Sequence, residues 1–530
     1  MAYDKVVDSA FLEAGLTLVG DSIRAKSGTS AKLEFPNGMK AAVEAIDTSE
    51  DLDDVLEAQN TAITAQDDII AQIQASITDK CLELEQTKKL EALLTRTVIE
   101  YEDESIKTLG TGAFAYCPNL TNVDFPACTS IGSSAFLNCS NLTSADFPVC
   151  TTIGSGAFES CPKLTNVNFP SCTIIDEFAF YECSSLTSAD FPVCTTIGAA
   201  AFVDCSSLTS ISFPVCTYID EDAFYLCSSF TSADFPVCST VGAGAFMYCY
   251  SLANISFPVC TSIGDHGFTC CSSLTSVDFS VCSNIGGYGF ADCSSLTNIS
   301  FPVCTSIGWF AFENCSNLTS VNFPACTSID RGAFENCSNL TNIDFPVCTT
   351  ISSDAFYSCP SLTSVDFPVC TYIDEEAFRY CSSLTSISFP VCTSIGSGAF
   401  YSCTSLTSVN FPACTSIGSN AFYYCSSLTS ADFPVCSNIG WFAFYSCSSL
   451  TSIDFPVCTT IGAAAFRYCS SLTNIKLGAS TVCTLVNSNA FSNTSMRTTG
   501  YIYVPSSLVT SYKAATNWSY FSSRIFAMET

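Results

Sequence analysis

Residues 117–139 read CPNLTNVDFPACTSIGSSAFLNC, and three cysteines stand in them eleven positions apart, at Cys117, Cys128 and Cys139. The beat runs without a gap through Cys447, Cys458 and Cys469, so that 33 of the 36 cysteines fall on it. Alternate cysteines have different surroundings, one reading CSSLTS and the next FPVCTSIG, which makes the true unit twenty-two residues long. A fixed period of this size marks a solenoid, because one unit cannot bury its own apolar face and does so by stacking on its neighbour.

Within a unit, Leu120, Val123 and Phe125 end in alternation, which predicts a short strand whose alternate residues enter a core. The spacing returns at Leu142, Ala145 and Phe147 and at Leu362, Val365 and Phe367. The phenylalanine is held in sixteen consecutive units from Phe125 to Phe455, and proline follows it in all but one, where Ser280 stands. Proline donates no amide hydrogen, so it closes the strand. The second half of the unit offers Cys128, Ile131, Ala135, Phe136 and Cys139 as further inward residues, with Gly132, or an aspartate such as Asp176, at the bend. Each unit is thus expected to be one strand, a turn, a short helical or 3₁₀ turn carrying the Ala-Phe pair, and a return. Stacked in register at about 4.8 Å, the units give a rod or arc on the order of 80 Å long.

These units resemble the BspA-like leucine-rich repeats, whose pattern reads like LTSVDFPVCTSIGSGAFYSCSS. The resemblance spans residues 105 to 505, and YIYVPSSLVTSYKAATNW (residues 501–518) is itself similar to C-terminal segments of such chains. It implies a repeat solenoid of short parallel strands and short helical turns. It implies much less about function, which a fold does not fix.

Four segments are expected: 1–47, 48–104, 105–477 and 478–530. In residues 1–47, Val6, Val7, Phe11, Leu12, Leu16, Val19 and Ile23 fall at helical spacing, SGTSAKLEFPNG breaks the pattern, and Met39 to Ile46 suits a second helix. So short a module has too little core to stand alone. Its sequence is similar to the N-terminal segment of tail and fibre proteins of bacteriophages and prophages, which implies attachment to a particle through a tail or baseplate protein.

In residues 48–104, Leu56, Ile63, Ile70, Ile77 and Leu84 recur every seventh residue, the period of a left-handed coiled coil. A single amphipathic helix lying on the solenoid is the other reading. The second seam, Gln59, Gln66, Ile73, Lys80 and Thr87, polar but for Ile73, does not choose between two strands and three; the resemblance to fibres implies a homotrimer. Residues 478–530 break the beat: Lys476 and Leu477 already replace the usual Asp and Phe, and the next pair, Ala490 and Phe491, is out of phase. Ser507 to Trp518 is expected to form a helix that caps the open core, as solenoids require.

Charge and composition exclude several classes. The chain carries 49 acidic and 18 basic residues, a net charge of −31. Between Cys117 and Arg467 only Lys163, Arg331, Arg379 and Arg467 are basic, a surface that repels phosphate backbones. Neither nucleic acid nor an anionic membrane is therefore an expected partner, and acidity also serves solubility. No apolar run reaches the eighteen residues a spanning helix needs. The start, MAYDKVVDSAFLEAG, lacks the basic and apolar regions of a secretory signal. Synthesis in a reducing cytosol is the expectation, with cysteines kept as buried thiols that fill the core. Bridges between neighbouring rungs would suit the disulfide torsion poorly.

The positions that vary between units face solvent. Those flanking each Ala-Phe pair carry Phe178, Tyr181, Tyr225, Tyr248, His266, Tyr288, Trp309, Phe310, Tyr357, Tyr380, Tyr401, Tyr423, Tyr424, Trp441, Phe442, Tyr445 and Tyr468. Exposed aromatics with polar neighbours suit sugar rings or a protein partner; they also suit the bland role of covering the joints between repeats. The best candidate contacts are Trp309 and Trp441, in equivalent WFAF sequences six units apart, with Phe310, Phe442, Tyr288 and Tyr424.

A second outward row on the strand is aspartate in nine of sixteen units, beginning Asp124 and Asp146. Stacked carboxylates suit calcium, but the Ser and Asn that interrupt the row are what dilution of like-charge repulsion requires; no metal and no cofactor is expected. One histidine, His266, without a partner at defined spacing, and no nucleophile elbow, phosphate loop or zinc motif argue against an enzyme. The expectation is a phage tail fibre made in the bacterial cytoplasm, located in the virion, whose solenoid binds a glycan or protein on the host surface. A BspA-like adhesin on a bacterial cell surface and a purely architectural virion protein are the alternatives.

Overall fold

The computed structural model describes residues 106–528. The module expected at 1–47 and the coiled coil at 48–104 lie outside the described residues.

Each twenty-two-residue unit is one coil of a parallel β-solenoid and contributes two strands. In the unit that begins at Leu362 these are Ser364–Asp366 and Tyr372–Ile373. Each pairs in parallel with the same residues one unit on, Ser364 with Ser386 and Tyr372 with Ser394. The two-residue strands, from Thr108–Leu109 to Thr484–Leu485, make one continuous sheet of 18 strands. At about 4.8 Å per step its axis is roughly 80 Å long. The expected strand is the three-residue one, with Val365 buried between exposed Ser364 and Asp366.

The second strand replaces part of what was expected to be turn. Its two residues are too few to show a period of two in sequence, and only the neighbouring coils make them a strand. The Ala-Phe segment is also not the expected helical turn. Its amides alternate between two destinations: Asp354, Phe356 and Ser358 donate to Glu375, Ala377 and Arg379 of the next coil at 2.8–3.0 Å, while Ala355 and Tyr357 turn back to Ser352 and Asp354 of their own coil. A helix would spend all these donors on carbonyls four residues back. Alternation needs left-handed backbone twice per coil, at Asp354 (φ 60°) and Ser358 (φ 55°), and the same two positions are left-handed along the rod.

The bend after each isoleucine is tight. A Cβ on Gly132 would lie 2.8 Å from the Leu109 carbonyl oxygen of the preceding coil. Where aspartate stands instead, its carboxylate holds the turn, Asp220 Oδ1 accepting from the Glu221 amide at 2.8 Å.

The interior is built of ladders. Phenylalanines of the Ala-Phe pairs stack on one another, Phe334 on Phe356 at 5.3 Å and 6°, and those of the Phe-Pro pairs do the same, Phe323 on Phe345 at 5.4 Å and 4°. The two ladders meet edge to face, Phe334 against Phe345 at 5.9 Å and 67°. Both geometries are the favoured ones for aromatic quadrupoles. Both cysteine rows point inward, as expected. In one, Cys337 Sγ donates to the Phe312 carbonyl of the preceding coil at 3.2 Å; in the other, Cys326 Sγ donates to the Ser328 carbonyl at 3.1 Å. Of the described cysteines, all but Cys117 and Cys270 are buried. Outside, threonine hydroxyls form a further ladder, Thr349 Oγ1 donating to the Thr327 carbonyl at 3.1 Å.

The end of the rod is covered as the sequence requires. Asp454 and Phe455 pair with Lys476 and Leu477, and strands Tyr501–Val504 and Ile525–Ala527 add two further rungs. Phe491, displaced by an insertion, still stacks on Phe466 at 5.5 Å. Its far face is closed by Trp518 and Phe521. The expected helix spans Val509–Ala514, and a 3₁₀ helix follows at Trp518–Arg524. Tyr512 and Trp518 tie this cap to Cys483: the Tyr512 hydroxyl accepts from its amide at 2.9 Å and Trp518 Nε1 donates to its carbonyl at 2.6 Å.

Candidate functional site: the aromatic edge

The residues that flank each Ala-Phe pair lie on one edge of the solenoid, where left-handed backbone turns their side chains out of the core. Of the six candidate contacts, Tyr288, Phe310, Phe442 and Tyr424 all have φ between 54° and 60°. This conformation is unusual for bulky residues, but coils with Ser, Asp or Ala at the same positions share it. It therefore belongs to the fold rather than to a site. Trp309, Tyr424 and Trp441 are exposed, at 43%, 46% and 56%, whereas Tyr288, Phe310 and Phe442 are half-buried.

All the candidates but Trp441 fall into two clusters. In the first, His266 stacks on Tyr288 at 4.8 Å, Tyr288 on Phe310 at 5.2 Å, and Trp309 meets Tyr288 edge to face at 4.7 Å. Trp309 lies over Gly287 and Phe310 over Gly332, where added Cβ atoms would collide with the rings. Arg331 closes the row over Phe310 at 5.8 Å and pairs with Asp354 at 3.3 Å. Beside Trp309 runs a cavity of about 470 Å³ lined by Asp265, Gly286, Gly287, Ser306, Gly308 and Asp330 among others.

The second cluster is larger. Tyr401, Tyr423 and Tyr445 occupy the position after Ala-Phe in three successive coils and stack face to face, at 4.6 Å and 4.5 Å. Tyr424 and Tyr468 meet them edge to face, at 4.8 Å from Tyr423 and 5.2 Å from Tyr445. At one end Arg379 lies over the ring of Tyr401 at 4.4 Å and pairs with Glu376. At the other end stands Arg467, over Tyr468 at 5.1 Å. Between them opens a groove of about 340 Å³, whose lining includes Glu375, Ser397, Gly398, Asn420 and Phe442.

Burial and the neighbouring phenols push the Tyr423 hydroxyl up to about 12, and Tyr401 is raised for the same reasons in that order. Both therefore stay neutral donors at physiological pH. The Nε of Arg379 and of Arg467 are buried without a hydrogen-bond partner.

The structure thus gathers Tyr288, Trp309 and Phe310 into one cluster and Phe442 and Tyr424 around the other. It separates the two tryptophans that sequence had made equivalent. Trp441 follows a coil with Ser419 where Gly287 precedes Trp309, and its ring meets no other aromatic ring among the described residues. Arg379 and Arg467 were not among the site residues expected from the sequence. The signal was present, since both fill the tyrosine position of their coils and are two of four basic residues in the repeats.

The strand aspartates stand in register, Asp432 opposite Asp454, and where asparagine interrupts them Asn168 Nδ2 donates to Asp146 at 2.8 Å. Among the described residues no group of three or more His, Cys, Asp or Glu is arranged to hold a metal ion, and no helix is long and apolar enough to cross a membrane.

The family model described as "BspA type Leucine rich repeat region" matches residues 107–231, 217–329, 305–429 and 393–519. These matches leave the resemblance of residues 1–47 to tail proteins without support. No curated protein matches the chain. Among solved structures, a leucine-rich repeat protein from Bacteroides ovatus is 26% identical, with 72% of this chain and 90% of that chain covered and a TM-score of 0.46. A leucine rich cell surface protein from Faecalibacterium prausnitzii is 25% identical, covering 62% and 82%, with a TM-score of 0.34. The T. pallidum leucine-rich repeat protein is 27% identical, covering 36% and 79%, with a TM-score of 0.25.

Proposed function

The chain belongs to the BspA-type leucine-rich repeat family, and from that premise we propose that it is a non-catalytic attachment protein whose aromatic edge binds a glycan or protein on a cell surface. The observation that carries this reading is the run of half-exposed rings from Tyr357 to Tyr468, mounted on coils whose spacing the backbone ladders fix. Rigid rings lose little entropy on binding and supply large contact areas.

The phage reading rests on residues 1–104. The heptads there support a multimeric stalk, and the tail-protein resemblance supports a homotrimeric phage tail fibre held to a tail or baseplate protein in the virion. Family membership favours the second reading, an adhesin on a bacterial cell surface. Both use the edge in the same way.

The test is binding of the fluorescent full chain to bacterial cells and to isolated cell envelopes. A variant carrying Trp441→Ala, Tyr424→Ala and Tyr288→Ala, with an unchanged melting temperature, is expected to lose most of that binding. Undiminished binding removes the edge from the function. Immunogold labelling of residues 1–47 on phage particles and on cells then separates the two locations.

A further inference from the structure

The groove beside Tyr423 carries unlike charge at its two ends. At one end Glu375, Glu376 and Arg379 sum to one negative charge, and the Glu376–Arg379 ion pair leaves the arginine neutralised. At the other end Arg467 has no carboxylate partner among the described residues. Its only partner there is the ring of Tyr468, and its Nε is buried without a hydrogen bond. Four coils separate the two arginines, about 19 Å along the axis. On a chain of net charge −31, an uncompensated guanidinium at the mouth of a groove is a place that attracts an anion, whereas the ammonium of Lys163 lies on Asn141 at an exposed position.

The floor of the groove narrows the ligand further. Because Tyr401, Tyr423 and Tyr445 stack on one another, their faces are spent and their edges and hydroxyls line the groove. With Ser397 and Asn420 they make the lining largely polar, and the apolar ring of Phe442 lies 5.9 Å from that of Tyr445. Such a lining matches a polyhydroxylated ligand with an apolar side rather than a peptide, whose alternating side chains need pockets.

We propose that the groove lined by Tyr401, Tyr423, Tyr445 and Arg467 binds an oligosaccharide that ends in a single carboxylated sugar, the carboxylate on the Arg467 guanidinium and the neutral rings along the tyrosine hydroxyls. This rests on the attachment reading and names its ligand class. A polyanion is excluded by Glu375 and Glu376 at the far end. A planar guanidinium with free donors is the side chain suited to a carboxylate, which it meets through two parallel hydrogen bonds.

The experiment is calorimetric titration of the full chain with sialyllactose, its methyl ester and lactose, in low and in high salt. Sialyllactose is expected to bind about tenfold or more tightly than the ester, the preference shrinking in salt. Arg467→Gln is expected to abolish the preference, Arg467→Lys to restore part of it, and Tyr423→Phe to weaken acid and ester alike. Three results overturn the inference: equal binding of acid and ester, a preference that survives Arg467→Gln, or no binding of any of the three. Tighter binding of a short peptide with a free C-terminal carboxylate also overturns it. If the chain still binds cells in any of these cases, the attachment reading stands and only the ligand class falls.

Discussion

Phenylalanine and cysteine divide the work of the interior. A ring such as Phe334 is fully buried and touches ring neighbours in the coils on both sides and in the other ladder. Phe334→Ala is therefore expected to cost about 3–5 kcal/mol in denaturant unfolding monitored by circular dichroism. The thiols matter through their protonation. Burial pushes Cys326, Cys370 and Cys414 up to about 12 and Cys260 and Cys304 up to about 11. An unfolded thiol titrates near about 8.5. With the folded value raised, the contribution to stability is whole below that pH and is lost as pH rises towards the folded values. The melting temperature is expected to be flat to about pH 8.5 and then to fall steeply, since many thiols act together. Replacing the Cys326, Cys370 and Cys414 side chains by alanine should make that fall shallower. An unchanged alkaline limb in this variant would remove the thiols as its cause.

At the level of the coil, the Ala-Phe segment shows where local preference yields to stacking. Gly156 and Ala200 occupy the same position, just before Ala-Phe, with φ 60° and 54°. Left-handed backbone costs a residue with a Cβ roughly 1 kcal/mol. Gly156→Ala should therefore destabilise by about that amount and Ala200→Gly should stabilise by somewhat less, because glycine also loses more entropy on folding. Paired thermal melts check both signs. The position varies freely in sequence, reading Ser134, Gly156, Phe178, Ala200 and Asp222 in successive coils, all left-handed. That freedom hides the conformation from any reading of propensity. The strand at Val365 was legible because alternation marks it; the strand at Ile373 was not, because two residues carry no period. For the site, the ring positions were legible from their variation between units. The stacking of Tyr401, Tyr423 and Tyr445 was not, since it depends on the distance between coils.

For the molecule as a whole, the unit of addition is the coil. Removing residues 340–361, twenty-two in all, joins Asn339 to Leu362 and preserves every ladder. The variant is expected to fold, with an axis shorter by about 4.8 Å in small-angle scattering. Removing residues 340–350 keeps the cysteine beat but sets each three-residue strand against a turn, and it is expected to aggregate. Equal folding of the two deletions would mean that eleven residues, rather than twenty-two, make the structural unit. Loss of the cap at residues 501–528 should likewise cause association, because it bares Phe491 and an unpaired strand edge.

The sequence by itself determined the solenoid, the inward thiols, the outward aspartates and the closing cap, because periodicity states which residues must be buried together. Only the tertiary structure decided that each coil has two strands, that the Ala-Phe turn hydrogen-bonds to its neighbour coil, that Trp309 and Trp441 have different surroundings, and that Arg467 lacks a counter-charge while Arg379 has one. The reason is one of range. A period is a property of the chain alone, whereas these four facts depend on what the next coil places about 4.8 Å away.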